Sequence, residues 1–328
     1  MTALPSIADI AISLRQARGL AHKGDIAGIV ARLGLGSRDA EVPLGDDCAA
    51  IPDGDGHLLF AIEGFLDSLV AADPYFAGYC GVMVNLSDIA AMGGRPIAVV
   101  DALWSRDAEA ADPVLAGLRG ASEIYGVPIV GGHTNTRAGA DNLAVAILGR
   151  AGKNLLTSFD ARPGDNLVAA IDLRGRFRDP QSYWDASTGS PSERLRGDLA
   201  LLPGLAEAGL CRAAKDISMA GLVGTALMLL ECSGVGGVID LDAIPRPEEV
   251  TLARWLTAFP SFGYLLSIQP DRTPAVLERF AERGIAAAAI GTLDATRIVR
   301  VRDAEGTEAA VWDFVAGPLI GCGQDGTS

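Results

Sequence analysis

Residues Asn85 to Pro96 read NLSDIAAMGGRP. The stretch sets one carboxylate, Asp88, in the middle of an apolar, Ala-rich helix, and Asn85, three residues earlier, shares its face. Gly93-Gly94 ends the helix and Pro96 keeps it from resuming. Polar groups on a helix otherwise composed for burial need partners. A divalent cation is one such partner. A helix-borne Asp satisfied by neighbouring protein groups is the other reading.

Outward from this helix, which is expected from about Pro74 to Gly93, the pattern alternates strands and helices. Strands are expected at Leu58 to Ile62, Ile97 to Leu103, Val127 to Val130 and Leu143 to Leu148. The last is rich in branched residues and alternates poorly, as a buried strand does. A helix is expected from Pro113 to Tyr125. Before them, Ser6 to Leu33 carries the apolar spacing of one or two amphipathic helices. Polar residues with Pro163 and Gly164 interrupt the pattern between Lys153 and Asp165. This divides the chain into residues 1–153 and 154–328. The second part opens with a strand at Asn166 to Ile171. An Arg-, Ser- and Asp-rich stretch, Arg174 to Arg196, reads as a long mobile loop. An apolar helix from Ile217 to Glu231 follows, and strands and helices then alternate to Val301. The end, Gly321 to Ser328, reads as frayed.

With 328 residues, 49% hydrophobic and 21% charged, the chain is composed as a globular protein with room for two domains. Its net charge of −14 argues against a nonspecific grip on nucleic acid or on an anionic membrane. It does not exclude anionic small substrates, because bound Mg²⁺ reverses the local sign of a site. Met1 to Leu20 carries Asp9 and Arg15 and so does not read as a signal peptide. No run of ~18 uninterrupted apolar residues suggests a membrane span. Five cysteines lie far apart with no CxxC pair, fitting a reduced cytoplasmic protein better than a disulfide framework.

Four acidic or glycine-rich elements fall at the expected ends of strands and helices. Asp46 and Asp47 follow Gly45 in the loop GDDCA. Adjacent carboxylates repel, so a divalent cation or a hydrogen-bonding nest is one reading and an Asx-turn before a strand the other. Asp88 is the second element. Gly131-Gly132-His133-Thr134 is the third: small residues after a strand let backbone N–H groups approach an anion, and Thr134 adds a hydroxyl. There is no GK[ST] ending of a Walker loop. A plain turn with a structural histidine is the alternative. The fourth is Asp216 in KDISMAGLVG, placed either as a ligand or as a helix N-cap. Spaced carboxylates without a histidine dyad suit phosphoryl transfer, which relies on metal-held phosphates.

Together these segments resemble the AIR synthase-like (PurM-like) ATP-binding superfamily, which includes thiamine-monophosphate kinase and selenophosphate synthetase. The similarity runs in order from about Val42 to Leu293. GDDCA resembles the metal-binding GDD loop of both enzymes. ADPYFAGYCGVMVNLSDIAAMGGRP is similar to the DDPYDFG and SD-AMGG-P stretch of the synthetases, and NLSDIAAMG also fits the kinases. GGHT looks like the synthetase form. DISMAGLVG has the length of the synthetase motif DVTGFGLLG, and SFGYLL at Ser261 to Leu266 sits where a TSGGLL-like segment is found.

The resemblance implies an α+β, two-domain fold: an N-terminal sheet forming a barrel-like dimer core and a C-terminal α/β sandwich-type domain. It implies Mg²⁺ at Asp46 or Asp47, Asp88 and Asp216, and ATP phosphates near Asn85 and Gly131, Gly132, His133 and Thr134. It implies ATP- and Mg²⁺-dependent phosphoryl transfer by a homodimer to a small-molecule acceptor that the sequence does not identify. A nucleotide-binding regulatory or scaffold protein without turnover is the alternative. The departures are definite. No cysteine precedes Cys48, Ala61-Ile62-Glu63-Gly64-Phe65-Leu66 replaces the strand motif ending in Asp, and Met219 or Ala220 stands where the kinases carry a second Asp. Glu63 and Asp67 are the residues near enough to replace the strand Asp. Arg174, Arg176 and Arg178 are candidates to close on a phosphate, against the simpler reading as solvated loop residues.

Overall fold

The computed structural model describes residues 6–35 and 42–322. Of the end expected to fray, residues 323–328 lie outside this range. The chain forms two compact units. One comprises Asp47–Leu155 and Gly189–Glu207, the other Met1–Asp46, Leu156–Thr188 and Ala208–Ser328. The first residues therefore do not pack with the sequence that follows them. Helix α1 (Ile7–Arg15) starts at a capping box, Ser6 with Asp9, and buries Ile7, Ala11 and Leu14 in the core of the second unit. Helix α2 (Arg18–Leu33) buries Leu20 in that same core.

The Asp47–Leu155 unit is built on one five-stranded sheet. Strands β1 (Ala49–Asp53) and β2 (Gly56–Phe65) lead into α3 (Asp67–Ala72) and α4 (Pro74–Ala91). Then come β3 (Arg95–Trp104), α5 (Ala108–Tyr125), β4 (Ile129–Asn135) and β5 (Asn142–Ala151). Helices α6 (Ser192–Leu199) and α7 (Leu201–Glu207) return to this unit. The strand order is β1-β2-β5-β3-β4, with only the β3–β4 pair parallel.

Helix α4 is organised as its sequence suggests. Asp73 caps it by accepting the Phe76 N–H at 3.1 Å, Pro74 occupies its first turn, and Gly93 leaves it with φ +72°. From Phe76 to Ala91 every residue is buried. It crosses α5 at glycines: a Cβ on Gly78 would lie 2.0 Å from the Val114 carbonyl oxygen, and one on Gly117 would lie 1.9 Å from that of Tyr75. The two backbones touch, and no larger residue fits at either point.

One face of the sheet packs on α4 through Leu59, Val99, Val145 and Ile147, all 1% exposed or less. The opposite face is apolar and open. Phe60, Leu148 and Ala98 form one row across it, and Ile62, Ala146 and Val100 the next. Phe60 is 49% and Ile62 66% exposed. So β5, expected to be buried, is covered on one side only. The sheet is not closed into a barrel within the described residues.

The second unit carries a seven-stranded sheet of order β15-β14-β10-β13-β6-β12-β9. Its strands are β6 (Asn166–Ile171), β9 (Ala213–Asp216), β10 (Gly236–Asp240), β12 (Gly263–Ile268), β13 (Ala286–Asp294), β14 (Ile298–Arg302) and β15 (Glu308–Asp313). β6 is apolar from Leu167 onward and β12 is buried along its whole length, because both lie inside the sheet with both faces covered. Helix α8 (Gly221–Ser233), buried throughout, packs on β9 and β12, and α10 (Thr273–Ala281) packs on β6 and β13.

The stretch Arg174 to Arg196 is not one loop. It holds β7 (Arg176–Phe177) and β8 (Tyr183–Asp185), which join β11 (Phe259–Pro260) in a small sheet beside α9 (Leu252–Trp255). Trp184 packs edge-on against Trp255 at 5.1 Å and Phe177 at 5.2 Å, and its indole N–H donates to the Asp172 carbonyl oxygen. The buried aromatic cluster supplies order that a polar composition hid.

Candidate functional site

Asp88 is the fifteenth of the 18 residues of α4, inside its buried run, and is 7% exposed. Its carboxylate and that of Asp47, which enters just before β1, have oxygens within 4.8 Å of each other. Two carboxylates this close, one of them buried, favour a cation between them. Hard oxygen donors match Mg²⁺ or Ca²⁺ and suit thiophilic metals poorly. By donor type and spacing, this pair fits the metal that the sequence implies.

Asn85 lies one turn earlier and is fully buried. Its Nδ2 donates to the Gly81 carbonyl at 2.8 Å and to the Val145 carbonyl at 3.1 Å. One amide hydrogen thus stays within α4 and the other ties the helix to β5. Its Oδ1 has no protein hydrogen-bond partner among the described residues. What Asn85 can still offer is an acceptor, which suits a cation or water better than a phosphate oxygen.

Asp46 is used differently. Its Oδ1 accepts the Ser158 N–H within the second unit. Asp216 is the last residue of β9 and is 6% exposed. It is no N-cap: Ala220 precedes α8 and makes no side-chain cap.

Gly131 to Thr134 form part of strand β4, at the edge of the sheet, where the sequence reads as a turn. All four residues are exposed. Pairing sends them to two faces. His133 pairs with Ala102 on the open face and lies 6.1 Å from the Trp104 ring. Gly132 pairs with Asp101, which pairs with Val145, which pairs with Glu63. Glu63 and Asp101 thus stand in one row on the α4 side. A Cβ on Gly132 would lie 2.5 Å from Asp101 Oδ1, so the glycine makes room for that carboxylate. Burial raises the Asp101 pKa above the ordinary aspartate value, partly opposed by its own backbone N–H. Sequence reasoning passed over Asp101, whose signal was an acid inside an apolar strand.

Two of the three candidate arginines, Arg174 and Arg178, are engaged by acids, and Arg176 is exposed on β7. Arg174 pairs with Asp172 at 2.7 Å and Arg178 with Asp185 at 3.0 Å, both acids being almost fully buried. They brace the small sheet. The five cysteines are free thiols, four of them buried. Burial pushes the Cys211 thiol up to about 12 and the Cys232 thiol higher still, so neither is a ready nucleophile. No helix among the described residues is long and apolar enough to cross a membrane.

Comparison with known proteins agrees with this architecture. An uncharacterized protein of Synechocystis sp., sll0787, is 49% identical over 96% of this chain and 98% of its own length. MJ0640 of Methanocaldococcus jannaschii is 35% identical over 94% and 97%. The phosphoribosylformylglycinamidine synthase subunit PurL of Parasynechococcus marenigrum is 29% identical over 78% of this chain and 37% of its own. Among solved structures, T. maritima PurL complexed with ATP superposes with a TM-score of 0.74 at 19% identity, over 96% of this chain and 53% of that one. The present chain spans about half the length of that PurL. A chain of the HypE–HypF complex gives a TM-score of 0.68 at 19% identity, over 87% of this chain and 99% of that one. Residues 45–151 match the AIR synthase related protein N-terminal domain and residues 189–304 its C-terminal domain, so the chain belongs to the AIR synthase related protein family.

Proposed function

We propose that the protein binds Mg-ATP and transfers a phosphoryl group to a small-molecule acceptor, as a kinase or an ATP-dependent ligase. The observation that carries this reading is the carboxylate pair of Asp88, on the buried helix, and Asp47, before β1, in the family's N-terminal domain. It is supported by the PurL relatives, whose T. maritima member was crystallised with ATP, ADP and AMPPCP. Asp47 and Asp88 would hold the cation, with the Asn85 carbonyl oxygen as a neutral donor beside them. Asp46 and Asp216 are further candidates on the family resemblance alone. When bound, Mg²⁺ neutralises charge on the transferred phosphoryl group. Gly131, Gly132, His133 and Thr134 are proposed to lie along the ATP phosphates, offering edge-strand N–H groups and the Thr134 hydroxyl. A reduced cytoplasmic setting suits the five free thiols.

A homodimer is part of the same proposal. The open face exposes Phe60, Ile62, Val100 and Leu148 side by side, and contiguous exposed apolar residues mark interaction sites. Ile62→Asp is expected to leave the fold intact and to shift sedimentation from dimer to monomer. A wild-type monomer would end this part of the reading.

The missing strand Asp of the family, for which Glu63 or Asp67 would have to stand in, favours a second reading, nucleotide binding without turnover. Among the described residues, Glu63 is outside the metal-capable group. Calorimetric titration of ATP with and without Mg²⁺, on the wild type and on Asp88→Asn, tests the first step. Mg²⁺-dependent binding lost in the variant supports the site, and equal binding by both refutes the metal assignment. ADP or AMP release in an acceptor screen then separates enzyme from binder.

A further inference from the structure

Three consecutive residues at the end of α8, Glu231-Cys232-Ser233, each hold a different segment of the chain. Cys232 Sγ donates to the Gly45 carbonyl at 3.7 Å, and Lys215 Nζ from β9 donates to the same oxygen at 3.3 Å. Ser233 Oγ donates to the Ser158 carbonyl at 2.7 Å and accepts the Ala161 N–H at 3.0 Å. This fixes the segment whose Ser158 N–H binds Asp46. Glu231, 5% exposed, reaches the other way. Its carboxylate accepts the N–H groups of Leu319 at 3.1 Å, Ile320 at 2.8 Å and Gly321 at 3.0 Å. A buried carboxylate held by three backbone donors is a fastening of high strength.

What Glu231 fastens lies against the turn. Gly45 has φ +126°, and a Cβ there would lie 2.6 Å from Cys232 Sγ and 3.0 Å from the Cys322 Cβ. Gly321, with φ +72°, backs onto Ala27 of α2 at 3.2 Å from its own absent Cβ. The strap 319–322 is therefore wedged between α2 and Gly45. The turn has the α8 end and β9 on one side and the strap behind it. Asp47 follows directly in the chain.

We propose that Glu231 is a positioning residue: by clasping the 319–322 strap against Gly45 it sets the backbone of the Gly45–Asp46 turn, to which Asp47 is joined as the next residue of the chain. This rests on the Mg-ATP reading for its functional consequence and on the clasp alone for its structural one. Groups that orient a metal ligand from behind typically alter affinity by about 10–100-fold when removed.

The test uses the full chain and two variants, Glu231→Gln, which puts N–H donors where an acceptor is needed, and the milder Gly321→Ala. Hydrogen exchange over residues 42–48 is measured without ligand. The Mg²⁺ concentration giving half-maximal ATP binding is measured separately. Glu231→Gln is expected to speed exchange over 42–48 and to raise the half-saturating Mg²⁺ about tenfold. ATP affinity at saturating Mg²⁺ stays unchanged, a split that general destabilisation does not produce. Gly321→Ala moves both in the same direction by less. Unchanged exchange over 42–48 in both variants overturns the inference whatever the nucleotide does. Faster exchange with an unmoved Mg²⁺ dependence overturns the positioning role. A wild type that binds no Mg-ATP refutes the functional reading by itself, and the exchange result still decides whether Glu231 sets the turn.

Discussion

Helices α4 and α8 are both buried on nearly every side, and each carries one acid in an apolar run, yet they settle the charge in opposite ways. Glu231 of α8 is surrounded by donors: three backbone N–H groups converge on it. Asp88 of α4 faces a second carboxylate, Asp47, within 4.8 Å. Burial is nearly equal, 5% and 7% exposure, so burial does not distinguish a structural acid from a ligand. The neighbours do. A carboxylate met by N–H groups is complete without a ligand, whereas one met by another carboxylate is completed by a cation.

The largest effect expected from this contrast is on Glu231→Ala. It strands three buried N–H groups, each costing about 1–3 kcal/mol, so urea unfolding of the ligand-free protein should show a loss of at least about 3 kcal/mol. A loss under about 1 kcal/mol would mean that water replaces the carboxylate and that the two helices differ less than their contacts suggest.

Asp88→Asn should do the reverse. Removing one of two close like charges leaves the metal-free protein as stable as the wild type or slightly more so. The difference comes with Mg²⁺. A site that binds only the folded state stabilises it by about 2.7 kcal/mol at a hundred times the dissociation constant. The wild type should therefore gain melting temperature with MgCl₂ and the variant should not. Equal gains in both would place the cation elsewhere.

The contrast also shows what a sequence can disclose. Asp88 was legible because its whole signal is local: an acid three residues from an Asn, in an Ala-rich run ended by Gly93-Gly94. The strand Asn166–Ile171 was legible to the residue because it is apolar from Leu167 onward. Glu231 was not, because its three donors lie 88 to 90 residues away and nothing local marks a carboxylate as satisfied. Lys215 was likewise hidden, since its acceptor, Gly45, is 170 residues distant. Two readings failed for a shared reason. Arg174 to Arg196 looked mobile and Gly131 to Thr134 looked like a turn, but tertiary pairing with β11 and β3 overrode composition in each. The association of α1 with strands some 300 residues later is equally invisible to periodicity, which reports which face is apolar and not what covers it.

Two further acids sharpen the comparison with pH, at smaller effect. Asp141 is the donor-rich case at the surface. The Arg106 backbone N–H and the Ser105 hydroxyl, with the Arg106 guanidinium, hold its carboxyl below the ordinary range. With the folded pKa lowered, its contribution is present above the unfolded value and is lost as pH falls through the folded one. Asp141→Asn should cost stability at neutral pH, with wild type and variant converging in acid. Asp101 is the donor-poor case, raised by burial against Gly132. Between the unfolded and folded pKa values the unfolded chain binds fewer protons, so stability falls as pH rises through that window and levels off above it. Asp101→Asn should therefore be the more stable protein at neutral pH, with its advantage vanishing in acid. Melting temperatures of both variants across pH 3 to 8 decide the matter. If Asp101→Asn is instead destabilised at neutral pH, its carboxylate has found donors like those of Asp141, and burial is not what sets its charge.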